Sequence, residues 1–381
     1  MLLTYQASTE RLFSLLSSES FQETRKLQVT GGSTYIVSLP KKWIDQNQLK
    51  KGSEISLREE DGLLSIMPKG AAKQEEQDEA LIKAASRDSP SMIIRKAVSA
   101  YLIGYSFIHV RAENQKQLSP KQRYEIKDFS RRMLVGTEIV TDTSQELTLQ
   151  VLLSYPELSV QSALRRMSII TASMHRDAIS ALKELNYQQA KEVARTDDEV
   201  DRFNLYVVRQ LKTAIQNPRI IREIGLETAR DCLGYRLVTK SVERTADHAA
   251  AIAENSQLLK KHVEKETIEK LEAMSNTAIL MFETAIEALF RHDYLLAESI
   301  VEKMGQIVET EKQAVLFSQK EENEDMIYLR LIIESVRRTA EYASDIAEIV
   351  LNLTVQSVIE RSTHTGSQTS YSQTAPKPLV K

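Results

Sequence analysis

The sequence contains one cysteine, Cys232, among its 381 residues. A single thiol excludes disulfides within the chain, zinc fingers and iron–sulfur clusters, and fits a reducing compartment. The sequence also lacks an apolar run of the roughly 18 residues that a membrane-spanning helix needs. Its first twenty residues lack the basic start and continuous apolar stretch of a signal peptide. We therefore expect a cytoplasmic protein without membrane insertion.

Residues that form turns are also scarce, because the chain has only 11 glycines and 8 prolines, and aromatic residues make up 6%. This composition favours long helices, and the length predicts two or three domains. The net charge of −3 excludes a protein that coats nucleic acid through its overall charge. Any DNA binding must therefore be local.

Residues 25–69 differ from the rest of the chain, since four of the glycines and an alternation of apolar and polar residues fall here. Alternation over Leu27 and Val29, and again over Tyr35 and Val37, predicts half-buried strands joined by a turn at Gly31-Gly32. A short helix over 41–48 and a second hairpin around Asp61-Gly62 complete the order β, β, α, β, β. So small a segment buries little apolar surface alone, so we expect a homodimer through this domain.

The same segment carries eight basic and five acidic side chains, a local excess of three positive charges. In a dimer this surface would be doubled and would neutralise several phosphates. Thr30 and Ser33, beside the glycine turn, offer hydroxyl donors to phosphates or base edges. A charged face that contacts only solvent is an equally good interpretation of the composition.

Two further segments follow before the chain becomes wholly helical. Residues 70–90 are polar and charged, which is typical of a linker. Residues 91–156 mix helical and strand-like patterns and predict a small α/β module.

Helical periodicity continues over 157–357, and this part of the sequence repeats itself. Residues 171–193 align with 278–300 at a shift of 107, and residues 235–254 align with 329–348 at a shift of 94. The repeat predicts tandem three-helix bundles, at 157–258 and 259–357. The difference between the shifts places an extra loop near Asn217-Pro218, and the composition of 358–381 predicts a disordered tail.

Two pairs of acidic residues with a spacing of four lie in the first bundle, Asp197 with Asp201 and Glu243 with Asp247. This spacing places both members of a pair on one helix face. Asp197 also falls in line with apolar residues, where a carboxylate is costly unless it is paired or bound to a metal. If the pairs meet, they offer oxygen ligands to Mg²⁺, Mn²⁺ or iron.

Spacing alone favours a different arrangement, in which these acids form a surface network with arginines nearby in sequence. Candidates are Arg195, Arg202, Arg236 and Arg244. The second repeat carries Met304, Val308, Arg337 and Glu341 at the matching positions, so only the first bundle can hold the site. The sequence has no phosphate loop, dinucleotide-binding glycine motif, HExxH zinc motif or GxSxG elbow.

Residues 25–68 resemble the SpoVT/AbrB swapped-hairpin DNA-binding domain, which we place at residues 22–69. The match rests on Gly31-Gly32, on Ser38-Leu39-Pro40-Lys41, and on Lys51-Gly52-Ser53-Glu54. The resemblance implies that two chains interleave their hairpins and present basic residues to DNA. By position, the implied contacts are Arg25, Lys26, Thr30, Ser33, Lys41 and Lys42.

Residues 157–355 resemble the PhoU family of tandem three-helix bundles, which carry an acidic E/DxxxD motif. The matching segments are Asp197-Asp198-Glu199-Val200-Asp201 and Glu243-Arg244-Thr245-Ala246-Asp247. The resemblance implies iron, or another divalent metal such as Mg²⁺, Mn²⁺ or Zn²⁺, at Asp197, Asp201, Glu243 and Asp247. It also implies a role in phosphate uptake.

An AbrB-like domain before a PhoU-like body is similar to an arrangement known mainly in archaea. We expect a multidomain, mainly α, non-enzymatic protein that binds DNA and regulates phosphate homeostasis. The alternative is an adaptor that does not bind DNA and that restrains a phosphate transporter or its signalling kinase through the helical body. A hydrolase or oxidase built on the four acids lacks an evident general base.

Overall fold

The computed structural model of the protein describes residues 23–60, 63–69, 79–153, 158–216, 218–319 and 323–360. The chain divides into two compact units, Met1–Glu76 and Gln77–Lys381. The expectations for a signal peptide, for the hairpin turn at Asp61-Gly62 and for the tail beyond residue 360 lie outside the described residues.

Two antiparallel hairpins and one short helix form the N-terminal unit. Its elements are β1 Gln28–Thr30, β2 Thr34–Ile36, α1 Lys41–Gln46, β3 Ile55–Glu60 and β4 Leu63–Pro68. Gly31 and Gly32 make the first turn with φ of 60° and 85°, a conformation that favours glycine. The predicted order is confirmed, and among the described strands the hairpins form two separate sheets.

The predicted half-burial of these strands is wrong for a single chain. Tyr35 is 70% exposed and Leu57 is 61% exposed, and no described residue of 23–69 is buried. The reason is size, because two short hairpins that are not stacked on each other have no second layer to cover their apolar faces.

A four-stranded sheet with two helices begins the second unit. Its elements are β5 Glu79–Ala84, α2 Pro90–Ile103, β6 Phe107–Ala112, α3 Pro120–Met133, β7 Thr137–Asp142 and β8 Glu146–Val151. The strand order is β5-β6-β8-β7, with β5 parallel to β6 and the other pairs antiparallel. Ser89 and Ser119 cap α2 and α3, each just before a proline that starts the helix.

The linker prediction for 70–90 is wrong over residues 79–90. Strand β5 pairs with β6 along its whole length and buries Ile82 and Ala84 in the module's core. Its partner lies more than 20 residues further along the chain, so local charge alone gave no sign of the pairing. Residues 70–78 lie outside the described ranges.

Two three-helix bundles follow, which confirms the predicted mainly α fold. The first contains α4 Val160–Glu184, α5 Tyr187–Gln216, the short α6 Pro218–Glu223 and α7 Ala229–Ser256. The second contains α8 Lys265–Arg291, α9 Tyr294–Val301, α10 Met304–Ser318 and α11 Asn323–Thr354. Helices α9 and α10 together take the place of α5. Helix α6 accounts for part of the extra length of the first copy.

One continuous apolar core runs through both bundles. Helix α7 packs against α11, and α4 packs against α8. Gly234 on α7 lies against α11, since a Cβ atom there would come within 2.9 Å of the Leu353 side chain. Within the described ranges, no helix combines the length and the apolar character that a bilayer crossing requires.

The α/β module is attached to the first bundle through α5, which contacts both α2 and α3. The buried Arg209 guanidinium donates to the carbonyl oxygens of Tyr101 and Gly104, the latter at 3.0 Å. Arg132 on α3 pairs with Asp198 on α5 at 2.8 Å. Asp198 is the neighbour of Asp197, so the helix that holds the module also carries the first acidic pair.

Candidate functional site

The acidic residues of the first bundle meet where α5 packs against α7. Asp201 from α5 and Glu243 and Asp247 from α7 each place a carboxylate oxygen within 4.8 Å of the others. Glu243 is buried, Asp201 is half-buried and Asp247 is exposed, so the cluster runs from the helix interface to the surface. The conditional expectation that the pairs meet therefore holds for three of the four residues.

Asp197, the fourth acid, is half-buried beside this cluster, as its place in an apolar stripe predicts. Its Oδ1 atom is buried and has no hydrogen-bond partner among the described residues. Burial raises the pKa of its carboxyl group to about 7, and the nearby carboxylates of Asp247, Asp201 and Glu243 add to the rise. The protein therefore holds an acid that resists ionisation next to three more acids.

The other α5 acid and the exposed α7 acid are perturbed in the same direction. Loss of water raises the pKa of Asp247 to about 6, with Glu243 and Asp201 as the next causes. Loss of water also raises the pKa of Asp201, and the charge of Glu243 contributes. Such like-charge crowding is relieved when a cation binds between the carboxylates.

Two further polar residues lie one helical turn from these acids along α5 and α7, and the sequence did not single them out as site residues. Lys240 donates to Glu243 Oε1 at 2.6 Å, and its charge opposes the pKa rise of Asp201 and Asp247. Asn204 is half-buried, with its Oδ1 atom buried and without a hydrogen bond in the described structure. Spacing could have found both, since Lys240 precedes Glu243 by three residues and Asn204 follows Asp201 by three.

The surface network with arginines does not form among the described residues. No ion pair joins Asp197, Asp201, Glu243 or Asp247 to the four arginines proposed from the sequence. Arg195 pairs instead with Glu192, and the Arg244 guanidinium lies 5.8 Å from the centre of the Tyr342 ring.

The donor set at α5 and α7 fits a hard or borderline cation. Ligands from carboxylate oxygens are those that Mg²⁺, Mn²⁺ and iron accept, whereas thiolate or imidazole ligands are not part of the set. The unpartnered Asp197 Oδ1 is a buried acceptor that such a cation would satisfy, directly or through a water molecule. The second bundle differs, since Met304 and Val308 replace the acids of α5 and Arg337 replaces Glu243.

The six residues that the AbrB resemblance implies as DNA contacts are all exposed, four of them basic and two with hydroxyl groups. Thr30 and Ser33 flank the glycine turn of the first hairpin, and Lys41 and Lys42 begin α1. Arg25 and Lys26 precede β1, where Arg25 pairs with Glu23. The four basic side chains are therefore accessible to an anionic ligand, and the two hydroxyl groups can donate hydrogen bonds to it.

Comparison with known proteins gives matches to both units. The PhoU domain model matches residues 164–256 and 271–350. The model for MazE, described as an antidote-toxin recognition bacterial antitoxin, matches residues 28–74. A search of curated proteins gave no significant match.

Solved structures of similar proteins include the phosphate transport system regulatory protein PhoU from Streptococcus pneumoniae. It is 20% identical, with a TM-score of 0.46, over 53% of this chain and 96% of that one. PhoU from Pseudomonas aeruginosa is 19% identical, with a TM-score of 0.46, over 52% of this chain and 96% of its own.

Proposed function

Because this chain carries two PhoU domains behind an N-terminal MazE/AbrB-like domain, we propose that it is a DNA-binding transcriptional regulator of phosphate uptake. The joining of these two kinds of domain in one chain is the observation that carries the proposal. The N-terminal unit contacts promoter DNA. The helical body responds to a phosphate-related signal or to a partner protein, without catalysing a reaction.

The N-terminal unit acts as a homodimer in this proposal. Its strands expose apolar side chains that a second copy would cover, as the exposure of Tyr35 and Leu57 indicates. Burial of apolar surface supplies the free energy of association. Dimerisation also doubles the basic surface, so that Arg25, Lys26, Lys41 and Lys42 of both copies contact one DNA molecule.

The first PhoU domain binds iron or another divalent cation at Asp201, Glu243 and Asp247, with Asp197 beside them. Once bound, the cation supplies positive charge that the crowded carboxylates lack. The protein's own contribution is to hold the acids together through the packing of α5 on α7. The cation then strengthens that packing in a structural or regulatory role.

Regulation requires that a signal bind one state of the body more tightly than another. Its effect on DNA affinity is then matched by an equal effect of DNA on the affinity for the signal. Inorganic phosphate and divalent metal ions are the first candidate signals, and their effect on DNA affinity is measured with the full-length protein.

The test is the affinity of the full-length protein for promoter DNA of phosphate-transport genes across a range of salt concentrations. The variant Lys41→Glu/Lys42→Glu is compared with Lys265→Glu/Lys312→Glu, which makes the same charge change on exposed lysines of the body. We expect the first variant to weaken binding by about tenfold or more and to reduce the salt dependence. Equal binding by both variants would contradict the proposal.

A second candidate function is the adaptor, in which the helical body binds a phosphate transporter or its signalling kinase. The observation that favours it is a set of apolar residues on the third helix of each bundle, which are 49% to 64% exposed. These residues are Leu233 and Leu237 on α7 and Ile327 and Leu331 on α11. They occupy matching positions in the repeat.

Phosphate uptake in cells separates the two functions. An adaptor keeps its control of uptake in the Lys41→Glu/Lys42→Glu variant and loses it in a Leu233→Asp/Leu237→Asp variant. A transcriptional regulator loses control in the first variant.

A further inference from the structure

A guanidinium group occupies the centre of an acidic cluster in the second bundle. Arg337 on α11 donates from Nε to Glu334 Oε2 at 2.9 Å and from Nη2 to Glu334 Oε1 at 2.6 Å. Its Nη1 atom donates to Glu341, and its Nε atom lies 3.4 Å from Glu311 Oε1 of α10. Three carboxylates from two helices thus surround one side chain.

This cluster lies at the place in the repeat where the first bundle gathers its own carboxylates. At the shift of 94, Arg337 corresponds to Glu243 and Glu341 to Asp247. Glu334 corresponds to Lys240, so the ion pair between Lys240 and Glu243 returns with its charges reversed. On the partner helix, Glu311 corresponds to Asn204 at the shift of 107.

We propose that Arg337 is the resident cation of the second bundle, and that it excludes a metal ion from the position equivalent to the first bundle's acidic cluster. The chain therefore carries one metal site, where its two similar domains would otherwise carry two. This proposal rests on the metal site proposed for the first PhoU domain. It compares that site with the equivalent position in the second bundle.

The physical basis is the permanence of the guanidinium charge. An arginine stays protonated at any physiological pH and carries five donors in a fixed plane, which suits several carboxylates at once. The hydrogen bond from Arg337 lowers the pKa of Glu334. Loss of water raises the pKa of Glu311, and the charge of Arg337 opposes that rise. A metal ion placed there would meet a fixed positive charge and carboxylates that are already paired.

Arg338 adds a second positive charge at this position. Its Nη1 atom donates to Glu341 Oε2 at 2.7 Å. The matching residue in the first bundle, Arg244, makes no ion pair with the acids of its cluster among the described residues. Charges within the chain therefore pair the carboxylates of the second bundle. In the first bundle Lys240 pairs with Glu243, whereas Asp201 and Asp247 make no ion pair among the described residues and are left to an added cation.

The test is the amount of Mn²⁺ bound by full-length Arg337→Glu protein at equilibrium dialysis, beside wild type. The variant brings together Glu311, Glu334, Glu341 and the new carboxylate, so we expect about one additional Mn²⁺ per chain. We also expect Mn²⁺ to raise its unfolding temperature by roughly 5 °C more than that of wild type. The control is Arg330→Glu, which makes the same charge change at an exposed position of α11 and should leave both values at the wild-type level.

Mn²⁺ binding is also measured for Arg337→Glu in an Asp201→Asn/Asp247→Asn background, which removes the site proposed for the first bundle. We expect the same additional Mn²⁺ there, so the two proposals are tested separately. If wild type binds no Mn²⁺ but Arg337→Glu does, the site in the first bundle is refuted and the role of Arg337 stands. If Arg337→Glu fails to fold, Arg337→Gln replaces it, and its unfolding temperature should be lower than that of wild type and recover with Mn²⁺. Unchanged binding and no response of the unfolding temperature to Mn²⁺ would overturn the proposal.

Discussion

Asp197 shows how one residue's position in a helix determines its chemistry. Its stripe on α5 places it beside the buried Val193 and Val200, where an ionised carboxylate loses its water. The apolar stripe in the sequence already indicated that the Asp197 carboxylate is placed at a cost. The pKa of about 7 also depends on Asp247 and Glu243 from α7, whose approach only the packing of the two helices establishes.

Replacing Asp197 by asparagine should weaken the pH dependence of stability in metal-free protein. The pKa of Asp197 is near 4 when the chain is unfolded and about 7 when it is folded, so ionisation opposes folding. This cost is absent below about pH 4 and complete above about pH 7. Stability therefore falls as the pH rises through this window.

We expect Asp197→Asn to be more stable than wild type at pH 8 by about 1–2 kcal/mol, a value reduced because the site is partly open to water. The difference should shrink at pH 5. Urea unfolding of metal-free protein measures the stability difference at pH 8 and at pH 5. The control is Glu199→Gln, at an exposed residue of the same helix. The same fall in stability with pH in Asp197→Asn and wild type would contradict this role.

Among the elements, α5 connects the parts of the second unit. One face carries Asp197 and Asp201, and another contacts α2 and α3 of the α/β module. The sequence predicted α5 from its helical periodicity, and it predicted helices within the α/β module at 91–156. It did not predict their contact, because Arg209 reaches Tyr101 across more than 100 residues and its local sequence is that of any amphipathic helix.

Arg209→Met should loosen the α/β module from the first bundle. The substitution removes the donors to the carbonyl oxygens of Tyr101 and Gly104 and a guanidinium 4.9 Å from the centre of the Tyr101 ring. We expect a loss of about 2–4 kcal/mol in stability, because buried carbonyls at the end of α2 lose charged partners.

Hydrogen exchange locates the effect, since amides of α2 should exchange faster while those of α8 and α11 keep their protection. The control is Arg202→Met, which removes an exposed guanidinium from the same helix. Unchanged exchange in α2 would show that other contacts hold the module.

At the scale of the whole molecule, repetition and composition predicted most of the architecture. The shifts of 107 and 94 gave the tandem bundles, and the two family resemblances are confirmed by the PhoU and MazE matches. The first strand of the module was missed because its pairing partner is distant in sequence. The burial in the N-terminal unit was misjudged because alternation shows which face is apolar and not what covers it.

The exposed strands lead to a prediction about assembly. Leu57→Asp places a charge on the apolar face of β3, so it should convert the expected dimer into a monomer and raise the dimer Kd by about tenfold or more. Sedimentation equilibrium measures the mass. The control is Leu295→Asp, at a residue of the helical body that is 75% exposed. A wild-type monomer, or a dimer that survives Leu57→Asp, would refute dimerisation through this unit.

The most direct test of the central claim is the chromosomal occupancy of the tagged protein in phosphate-replete and phosphate-starved cells. Crosslinking and immunoprecipitation are carried out on wild type and on Lys41→Glu/Lys42→Glu. For a DNA-binding regulator we expect discrete peaks at phosphate-transport promoters that change with phosphate supply and vanish in the variant. Absence of peaks under both conditions would contradict this function and would leave the adaptor as the better explanation.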